Sequence, residues 1–247
     1  MPVTLTVAAL LLDMDGTLVD STAVVERTWL RFARRHHLDP ALILHSAHGR
    51  RSEETVRQFA PAGVDVAAET ARIIAEELLD TEGIVAVPGA LALLQALKGA
   101  RWAVVTSASR ALAERRLRAA GLPVPHLLIA AEDVSEGKPA PDGYEAAARQ
   151  LCVEPQHCLA VEDAPAGLKA AHAAHCQVVA VATTLAPPAL GEPLWVKDLR
   201  GLIVTGRTKG ALHLSITLGT PGEPRSQGSG WPPAPHQPGP GHSDTGQ

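Results

Sequence analysis

The feature that most constrains the fold is an apolar run that ends abruptly in two acids. Residues 7–12 are all apolar, which is typical of a strand buried on both faces of a sheet. Asp13 and Asp15 follow, and because strand side chains alternate with a period of two, both carboxylates should emerge close together. Gly16 then permits a sharp turn. Neighbouring carboxylates repel each other, so such a pair usually binds a cation or divides into a charged and a protonated group.

From residue 88 onward, helix-like and strand-like segments alternate. The predicted helices cover residues 90–97, 111–120, 142–151 and 166–175, and the predicted strands cover residues 102–106, 127–130, 158–161 and 177–181. Such alternation is typical of an α/β fold with a doubly wound parallel sheet, that is, a Rossmann-like core. Sheets of this kind bind their ligands at the carboxyl ends of the strands. Residues that follow the predicted strands are therefore the candidates for function.

The segment between the first strand and residue 88 has a different pattern. Amphipathic segments at helical spacing occur at about residues 21–37, 41–46, 52–60 and 66–80, with no convincing strand before Val85. A strand, a block of helices and a return to alternation predict an inserted helical domain. We expect an α/β core of residues 1–20 and 88–218, with an α-helical insertion at residues 21–87.

The C-terminal part begins with two predicted strands, residues 202–205 and 212–218, which should form a terminal hairpin. Residues 219–247 are rich in Gly and Pro. That composition buries too little surface to offset the entropy lost on ordering. We predict a disordered tail at 219–247, with a proline-rich partner motif as an open alternative.

Charge and composition exclude several classes of function. The net charge of −4 gives no electrostatic argument for nucleic acid or an anionic membrane as a partner. No apolar run approaches the roughly 20 residues that span a bilayer, and the N-terminus lacks the basic start of a signal peptide. Cys152, Cys158 and Cys176 are too few and too scattered for a disulfide framework. We expect a soluble cytoplasmic protein with no nucleic-acid or membrane partner.

Polar residues that suit phosphate or metal binding follow the later strands. Thr106 and Ser107 place hydroxyls and backbone N–H groups at a helix start, which suits a phosphate but also an ordinary helix cap. Lys138 lies in a loop that two prolines stiffen, where a fixed ammonium can neutralise phosphate and carboxylate charge. Glu162 and Asp163 end the next predicted strand, although a capped helix with Pro in its first turn would show the same residues.

Together these motifs resemble those of the haloacid dehalogenase superfamily, most of whose members are magnesium-dependent phosphatases. The nucleophile motif is matched by Asp-Met-Asp-Gly-Thr-Leu-Val-Asp-Ser from Asp13, the third motif by Gly-Lys-Pro-Ala-Pro-Asp around Lys138, and the metal motif by Val-Glu-Asp-Ala-Pro around Asp163. The resemblance covers about residues 5–205. It implies that the helical insertion is a cap over the active site. True dehalogenases lack the second acid of the first motif, so its presence favours phosphoryl transfer.

The resemblance also implies a role for each matching residue. Asp13 would attack phosphorus and form an aspartyl-phosphate, and Asp15 would protonate the leaving alcohol and later activate water. Lys138 would neutralise the phosphoryl group and Asp13. Thr106 would bind the transferring phosphoryl group, with Ser107 as its neighbour.

The implied cofactor is Mg²⁺, which prefers near-octahedral oxygen coordination and keeps several waters. Its ligands would be Asp13, the backbone carbonyl of Asp15, and Asp163. Glu162 would orient water or reach the metal through one.

Softer motifs point to one branch of the superfamily. Segments such as Val24-Val25-Glu26-Arg27-Thr28-Trp29 and His48-Gly49-Arg50 resemble those of bacterial sugar phosphatases, which hydrolyse small sugar and polyol phosphates. The resemblance implies that Arg50 binds substrate oxygens from a cap loop. Glu82 would likewise receive a sugar hydroxyl, with a capping or surface role as the alternative.

Two other functions stay open at the level of sequence. A sugar phosphomutase of the β-phosphoglucomutase type shares the core motifs, but it has a His where this chain has Val25, and it uses a cap lysine, whereas residues 21–97 contain none. A non-catalytic phosphosugar-binding protein on the same scaffold would have no use for Asp15. We therefore favour hydrolysis.

Overall fold

The structure is a computed structural model that describes residues 2–220. The disordered tail predicted for residues 219–247 therefore lies almost entirely outside the described residues. No helix within residues 2–220 has the length and apolar character that crossing a membrane requires.

Strands and helices alternate along most of the described chain. The strands are β1 (Val3–Val7), β2 (Ala9–Leu12), β3 (Val19–Asp20), β4 (Val85–Ala86), β5 (Trp102–Val105), β6 (Leu128–Ile129), β7 (Cys158–Glu162), β8 (Gln177–Val181), β9 (Trp195–Val196), β10 (Leu202–Thr208) and β11 (Ala211–Ile216). The α-helices are α1 (Thr22–His36), α2 (Pro40–Ala47), α3 (Ser52–Phe59), α4 (Val66–Leu79), α5 (Ala90–Ala96), α6 (Arg110–Ala119), α7 (Asp142–Gln150), α8 (Pro165–Ala173) and α9 (Pro187–Leu190).

The main sheet of the described chain has six parallel strands in the order β6–β5–β2–β7–β8–β9. The order reverses at β2, which pairs with β5 on one side and with β7 on the other. This is the usual strand order of a doubly wound fold. It confirms the predicted fold class, an α/β protein with a doubly wound parallel sheet.

Helices cover both faces of this sheet because the central strand is apolar on both sides. Leu10 and Leu12 pack with residues of α5 and α6 on one face. Leu11 packs on the opposite face with residues of α7 and α8. The alternation of β2 side chains thus divides one apolar run between two cores, which fixes the strand at the centre of the molecule.

Helices α1 to α4 form a separate layer, which we call the helical insert (residues 22–79). Its buried core includes Phe32, Ile43 and Ile73. The carboxylates of Asp39 and Asp65 accept backbone N–H groups at the starts of α2 and α4, which stabilises these helix ends. The helical insert lies in the segment predicted to be helical.

One short ribbon connects the helical insert with the sheet. Strands β3 and β4 pair antiparallel, with Val19 opposite Ala86 and Asp20 opposite Val85. The chain therefore leaves the core and returns to it at the same place.

The N-terminal segment differs from its prediction. Residues 7–12 do not form one strand, because the chain breaks at Ala8 and the preceding residues form β1 in a different sheet. This second sheet is antiparallel with the order β1–β11–β10, so the predicted hairpin is present and gains a third strand. The sequence carries the signal: Val3, Leu5 and Val7 alternate with two threonines, which is typical of a half-exposed strand.

The packing of β2 yields a stability prediction. Leu11→Ala removes a fully buried side chain (0% exposed) and should lower the free energy of unfolding by about 2–5 kcal/mol. Leu79→Ala is the matched control, because Leu79 is 85% exposed and surface substitutions usually change stability by about 0.5 kcal/mol or less. Urea denaturation of both variants measures the difference. Equal effects would contradict the assignment of β2 to the core.

Candidate active site

The carboxyl ends of β2, β5 and β7 meet where the strand order reverses. Asp13 and Asp15 follow β2, Thr106 follows β5, and Asp163 follows β7. A cavity opens at this edge of the sheet, lined in part by Asp13, Asp15 and Thr106. Doubly wound sheets bind ligands in this kind of crevice.

A buried lysine joins two of the carboxylates. The Nζ of Lys138 lies 2.5 Å from Asp13 Oδ1 and 2.5 Å from Glu162 Oε1, and it donates to the Val105 carbonyl at 3.1 Å. Burial opposes the charged ammonium, but Asp13 and Glu162 outweigh this effect and raise the pKa of Lys138 above its ordinary value. Lys138 is therefore a fixed positive charge beside Asp13.

Glu162 is held by protein donors on both of its oxygens. Oε1 accepts from Lys138 and from the Tyr144 hydroxyl at 2.6 Å, and Oε2 accepts from the Asp163 backbone N–H at 3.2 Å. A Cβ at Gly167 would lie 1.8 Å from Oε1, so only glycine leaves room for this carboxylate. These contacts fix Glu162 behind the cavity.

The site carries more negative charge than Lys138 neutralises. Asp13, Glu162 and Asp163 are buried, and each offers a carboxylate oxygen within 4.8 Å of the others. Burial, followed by repulsion from Glu162, raises the pKa of Asp163 to about 7 and the pKa of Asp13 well above its ordinary value. Crowded carboxylate oxygens fit a divalent cation, which would favour their ionised forms. Asp13 and Asp163 are the residues best placed to hold it.

Two threonines hold the carboxylate of Asp163. The hydroxyl of Thr17 donates to Oδ1 at 3.1 Å, and the hydroxyl of Thr184 donates to Oδ2. A Cβ at Gly16, which has a φ of +85°, would lie 2.0 Å from Oδ2. The turn after β2 therefore requires glycine both for its backbone conformation and for space.

Asp15 faces the cavity and is more exposed than Asp13. Its Oδ1 accepts from the Ser21 hydroxyl at 2.6 Å, and its Oδ2 accepts from Arg116 Nη1 at 2.8 Å. The other terminal nitrogen of Arg116 donates to Glu77 Oε1 at 2.8 Å. Asp15 is therefore oriented on both of its oxygens.

The two candidate phosphate-binding hydroxyls differ in their contacts. Thr106 Oγ1 accepts from the Ala108 backbone N–H at 3.1 Å. Ser107 Oγ donates to the Gly49 carbonyl at 2.9 Å, which links the end of β5 to the helical insert. Both residues line the cavity.

Arg50 and Glu82, the two residues predicted to contact the sugar, lie in different places. Arg50 lines the cavity beside His48. His48 is neutral at pH 7 because burial, followed by repulsion from His45, lowers its pKa to about 4. Glu82 is exposed and is not among the residues that line the cavity, and its backbone carbonyl accepts from Arg27 at 2.7 Å. The structure therefore brings Arg50 to the cavity and does not bring Glu82 there.

Sequence reasoning missed several residues that hold the site. The sequence contains one signal for Arg116, which lies on the same face of α6 as the apolar residues Leu112 and Ala113. In the structure all three are buried. Glu77 gave the same signal, one turn after Ile73 on the buried face of α4. A charged residue on the apolar face of a helix needs a partner. Thr17, Tyr144 and Thr184 gave no such signal.

Comparisons with known proteins identify the family of this chain. A family model of haloacid dehalogenase-like hydrolases matches residues 7–175. Hexitol phosphatase A of Escherichia coli (strain K12) is 44% identical over 205 residues, which cover 81% of this chain and 95% of that protein. Glycerol-1-phosphate phosphohydrolase 1 of Saccharomyces cerevisiae is 33% identical over 196 residues, which cover 74% and 78%. A solved hydrolase structure from Pseudomonas syringae superposes with a TM-score of 0.69 at 24% identity, over 78% of this chain and 94% of that one, and shows the shared fold.

The raised pKa of Asp163 yields a pH-dependence prediction for the metal-free protein. In the unfolded chain this carboxyl ionises near its ordinary pKa of 3.8, whereas in the folded protein it stays protonated up to about pH 7. Its contribution to stability is therefore lost as pH rises from about 4 to about 7. Relative to the parent in EDTA, Asp163→Asn should become more stable over this range, as measured by urea denaturation.

A matched control comes from Asp198, whose pKa is lowered because the Arg200 hydrogen bond and charge outweigh burial. Asp198 loses its contribution only as pH falls below its unfolded pKa, so the difference between Asp198→Asn and the parent should be flat from about pH 5 to 7. Parallel curves for the two variants would refute the assignment of the shift to Asp163.

The close approach of Gly167 to Glu162 yields a second prediction. Helix propensity alone would favour Gly167→Ala by about 1 kcal/mol. The clash with Glu162 Oε1 should reverse the sign and destabilise the fold by about 1–3 kcal/mol. Lys169→Ala, at an exposed position of the same helix, is the control and should be near neutral. Thermal unfolding compares the two, and a stabilised Gly167→Ala variant would contradict the packing described here.

Proposed function

The chain belongs to the haloacid dehalogenase-like hydrolases, and we propose that it is a phosphatase that hydrolyses small sugar or polyol phosphates. The observation that carries the proposal is the placement of Asp13 and Asp15 at one cavity, with Lys138 bound to the first carboxylate. A nucleophile and a separate acid facing one cavity are what covalent phosphoryl transfer requires. The substrate class is supported by the relatives, a hexitol phosphatase and a glycerol-1-phosphate phosphohydrolase.

In the proposed first step, a carboxylate oxygen of Asp13 attacks phosphorus in line with the departing alcohol. Asp15 donates a proton to that alcohol oxygen, and an aspartyl-phosphate forms on Asp13. In the second step, Asp15 takes a proton from a water molecule that attacks the aspartyl-phosphate and releases inorganic phosphate. The greater exposure of Asp15 supports its role, because it must reach both the alcohol and the water.

Neighbouring residues are placed to offset the negative charge of Asp13 and of the phosphoryl group in these steps. The ammonium of Lys138 holds Asp13 in place and offsets the charge of the phosphoryl group. The hydroxyls of Thr106 and Ser107 lie on the same cavity and are proposed to bind phosphate oxygens, with the help of backbone N–H groups at the start of α6.

We propose Mg²⁺ as the divalent cation, because the clustered donors are carboxylate oxygens. Asp13 and Asp163 would bind it through their carboxylates, Asp15 through its backbone carbonyl, and Glu162 through water. When bound, the cation would neutralise phosphate charge and orient the phosphoryl group for in-line attack.

We further propose that residues 21–87 form a cap on an α/β core made of residues 1–20 and 88–218. Arg51, at the start of α3, donates three hydrogen bonds of 2.8 to 3.1 Å to carbonyls within residues 131–135 of the core. Arg50 lines the cavity from the cap side and is proposed to bind substrate oxygens. Contacts of this kind support a cap closed over the cavity.

The expected location is the cytoplasm, with a small phosphorylated sugar or polyol as the partner. The three cysteines support this proposal, since Cys152, Cys158 and Cys176 are all free, as is usual in reducing compartments. Neither nucleic acid nor a membrane is proposed as a partner.

The proposal is tested by phosphate release from a panel of hexose, pentose and polyol phosphates, with Mg²⁺ and with EDTA. The parent should release phosphate from a few of them in a Mg²⁺-dependent manner, and Asp13→Asn should reduce the rate by about a thousandfold or more because it removes the nucleophile. Asp65→Asn is the matched control, because Asn also caps a helix well and Asp65 serves α4 away from the cavity.

Other outcomes would contradict the proposal in distinct ways. Interconversion of sugar 1-phosphates and 6-phosphates without phosphate release would indicate a phosphomutase. Two features argue against that outcome. Val25, which stands where the mutase has a His, lines the cavity, and residues 21–97 contain no lysine. Binding of sugar phosphates without turnover would indicate a binding protein.

A further inference from the structure

A second cavity lies at the opposite edge of the main sheet from the candidate active site. We call it the basal cavity. It has a volume of about 350 Å³, and its lining includes Ala8, Gly99, Arg101, Arg207, Thr208 and Gly210. Ala8 directly precedes β2 and Arg101 directly precedes β5, so the basal cavity lies at the amino ends of the strands that Asp13 and Thr106 follow. The two cavities share no lining residue.

The segments that surround the basal cavity contain no acidic residue. Its lining comes from residues 8, 99–101, 207–208 and 210–212. These positions lie within the ranges 2–12, 83–113 and 199–220, none of which contains Asp or Glu. The cationic residues in or next to the lining are Lys98, Arg101, Arg207 and Lys209. Because the whole chain has a net charge of −4, positive charge is concentrated here against the average, and such a region attracts anions.

One of the two arginines is held in place by the core. Arg207 lies on β10, and its Nη1 donates to the Lys98 carbonyl at 2.6 Å. The same nitrogen lies 3.5 Å from the point where a Cβ on Gly99 would be, so the guanidinium lies against the loop that precedes β5. This contact uses one terminal nitrogen of a planar group with five N–H donors. The remaining donors are suited to a ligand in the basal cavity.

The other arginine lacks a protein partner. Within residues 2–220, the side chain of Arg101 makes no hydrogen bond or ion pair. It lines the basal cavity with Arg207, so that two guanidinium groups from different segments meet at one concave surface.

This arrangement favours a phosphate group as the ligand. Guanidinium groups bind phosphate oxygens with paired hydrogen bonds, and a phosphate group carries up to about two negative charges at neutral pH. Four positive charges match a phosphate or a diphosphate better than a single carboxylate. A cavity of this volume fits a small molecule, whereas a single-stranded nucleic acid needs a groove that follows its backbone.

We propose that the basal cavity is a second anion-binding site, which takes a small molecule with a phosphate or diphosphate group through Arg101 and Arg207. Lys98 and Lys209 add attraction from its rim. The bound anion bridges the loop before β5 and the turn between β10 and β11, so it stabilises the antiparallel sheet against the core. The site shares no residue with the proposed catalytic machinery, and its occupancy does not depend on phosphatase activity.

The test uses pyrophosphate as the probe and the full chain without metal ions. A chelator removes the ions and is then dialysed away, because a chelator is itself a polyanion that would compete for the site. Without a cation, the carboxylates of Asp13, Glu162 and Asp163 repel anions from the candidate active site. Binding in the basal cavity is thereby measured separately.

Glycine amide signals in nuclear magnetic resonance spectra locate the bound probe. Gly99 and Gly210 line the basal cavity, whereas Gly16 and Gly49 line the cavity of the candidate active site. Pyrophosphate should shift the amide signals of Gly99 and Gly210 along one saturable curve and leave those of Gly16 and Gly49 nearly unchanged.

Calorimetric titration then compares two double variants that remove equal charge. Arg101→Gln/Arg207→Gln should weaken pyrophosphate binding by about tenfold or more, because it removes two charged donors. Arg115→Gln/Arg149→Gln is the matched control and should change binding by less than about twofold, since both arginines are exposed and neither lines the basal cavity. Pyrophosphate should raise the Tm of the parent and of the control more than that of Arg101→Gln/Arg207→Gln. Thermal unfolding without the probe establishes that each variant folds.

Several outcomes would overturn the inference. One is the absence of saturable shifts at Gly99 and Gly210 with millimolar pyrophosphate, and another is larger shifts at Gly16 and Gly49. Equal weakening in the two double variants would show that only net charge matters. Tighter binding of a single-stranded oligonucleotide than of pyrophosphate would overturn the assignment to a small ligand.

Discussion

Buried negative charge at the end of the central strand is the constraint on which the rest of the structure depends. Asp13, Glu162 and Asp163 crowd their oxygens together, and the ammonium of Lys138 neutralises only part of that charge. Such a cluster is costly unless hydrogen bonds and a further cation satisfy it. The glycines beside it and the two threonines on Asp163 follow from this need, because each makes room for a carboxylate or donates to one. The buried carboxylates on which the proposed chemistry depends therefore lower the stability of the fold.

The second acid belongs to a different environment. Asp13 is enclosed by the core, whereas Asp15 contacts Ser21 at the start of α1 and, through Arg116, Glu77 on α4. The position of Asp13 is thus set by the sheet, and that of Asp15 is set at the boundary between the sheet and the helical insert. In the proposed mechanism Asp13 must stay fixed, whereas Asp15 must act first on the alcohol and then on the water. The surroundings of the two residues match these roles.

Much of the fold and of the candidate site could be predicted from the sequence, and the features that could not be predicted have physical reasons. The doubly wound sheet followed from the alternation of helices and strands. Asp13, Asp15 and Asp163 stood out because polar residues ended apolar strands, and Lys138 stood out because two prolines stiffen its loop. The partners of Asp15 could not be found in this way, because Arg116 and Glu77 meet only through the packing of α6 against α4. The break at Ala8 was missed because six apolar residues in a row mask a change of sheet.

The antiparallel sheet beside the core has a consequence for synthesis. Strand β1 is the first of the described strands, yet its partner β11 is the last of them, so that Thr6 contacts His213 across 207 positions. Contacts between such distant residues form slowly, since a long loop must close first. Strand β1, which directly precedes β2, therefore cannot pair with β11 until nearly the whole described chain has been made. A chain that stops before β11 therefore keeps every residue described at the candidate site, but it lacks the central strand of the antiparallel sheet beside the core.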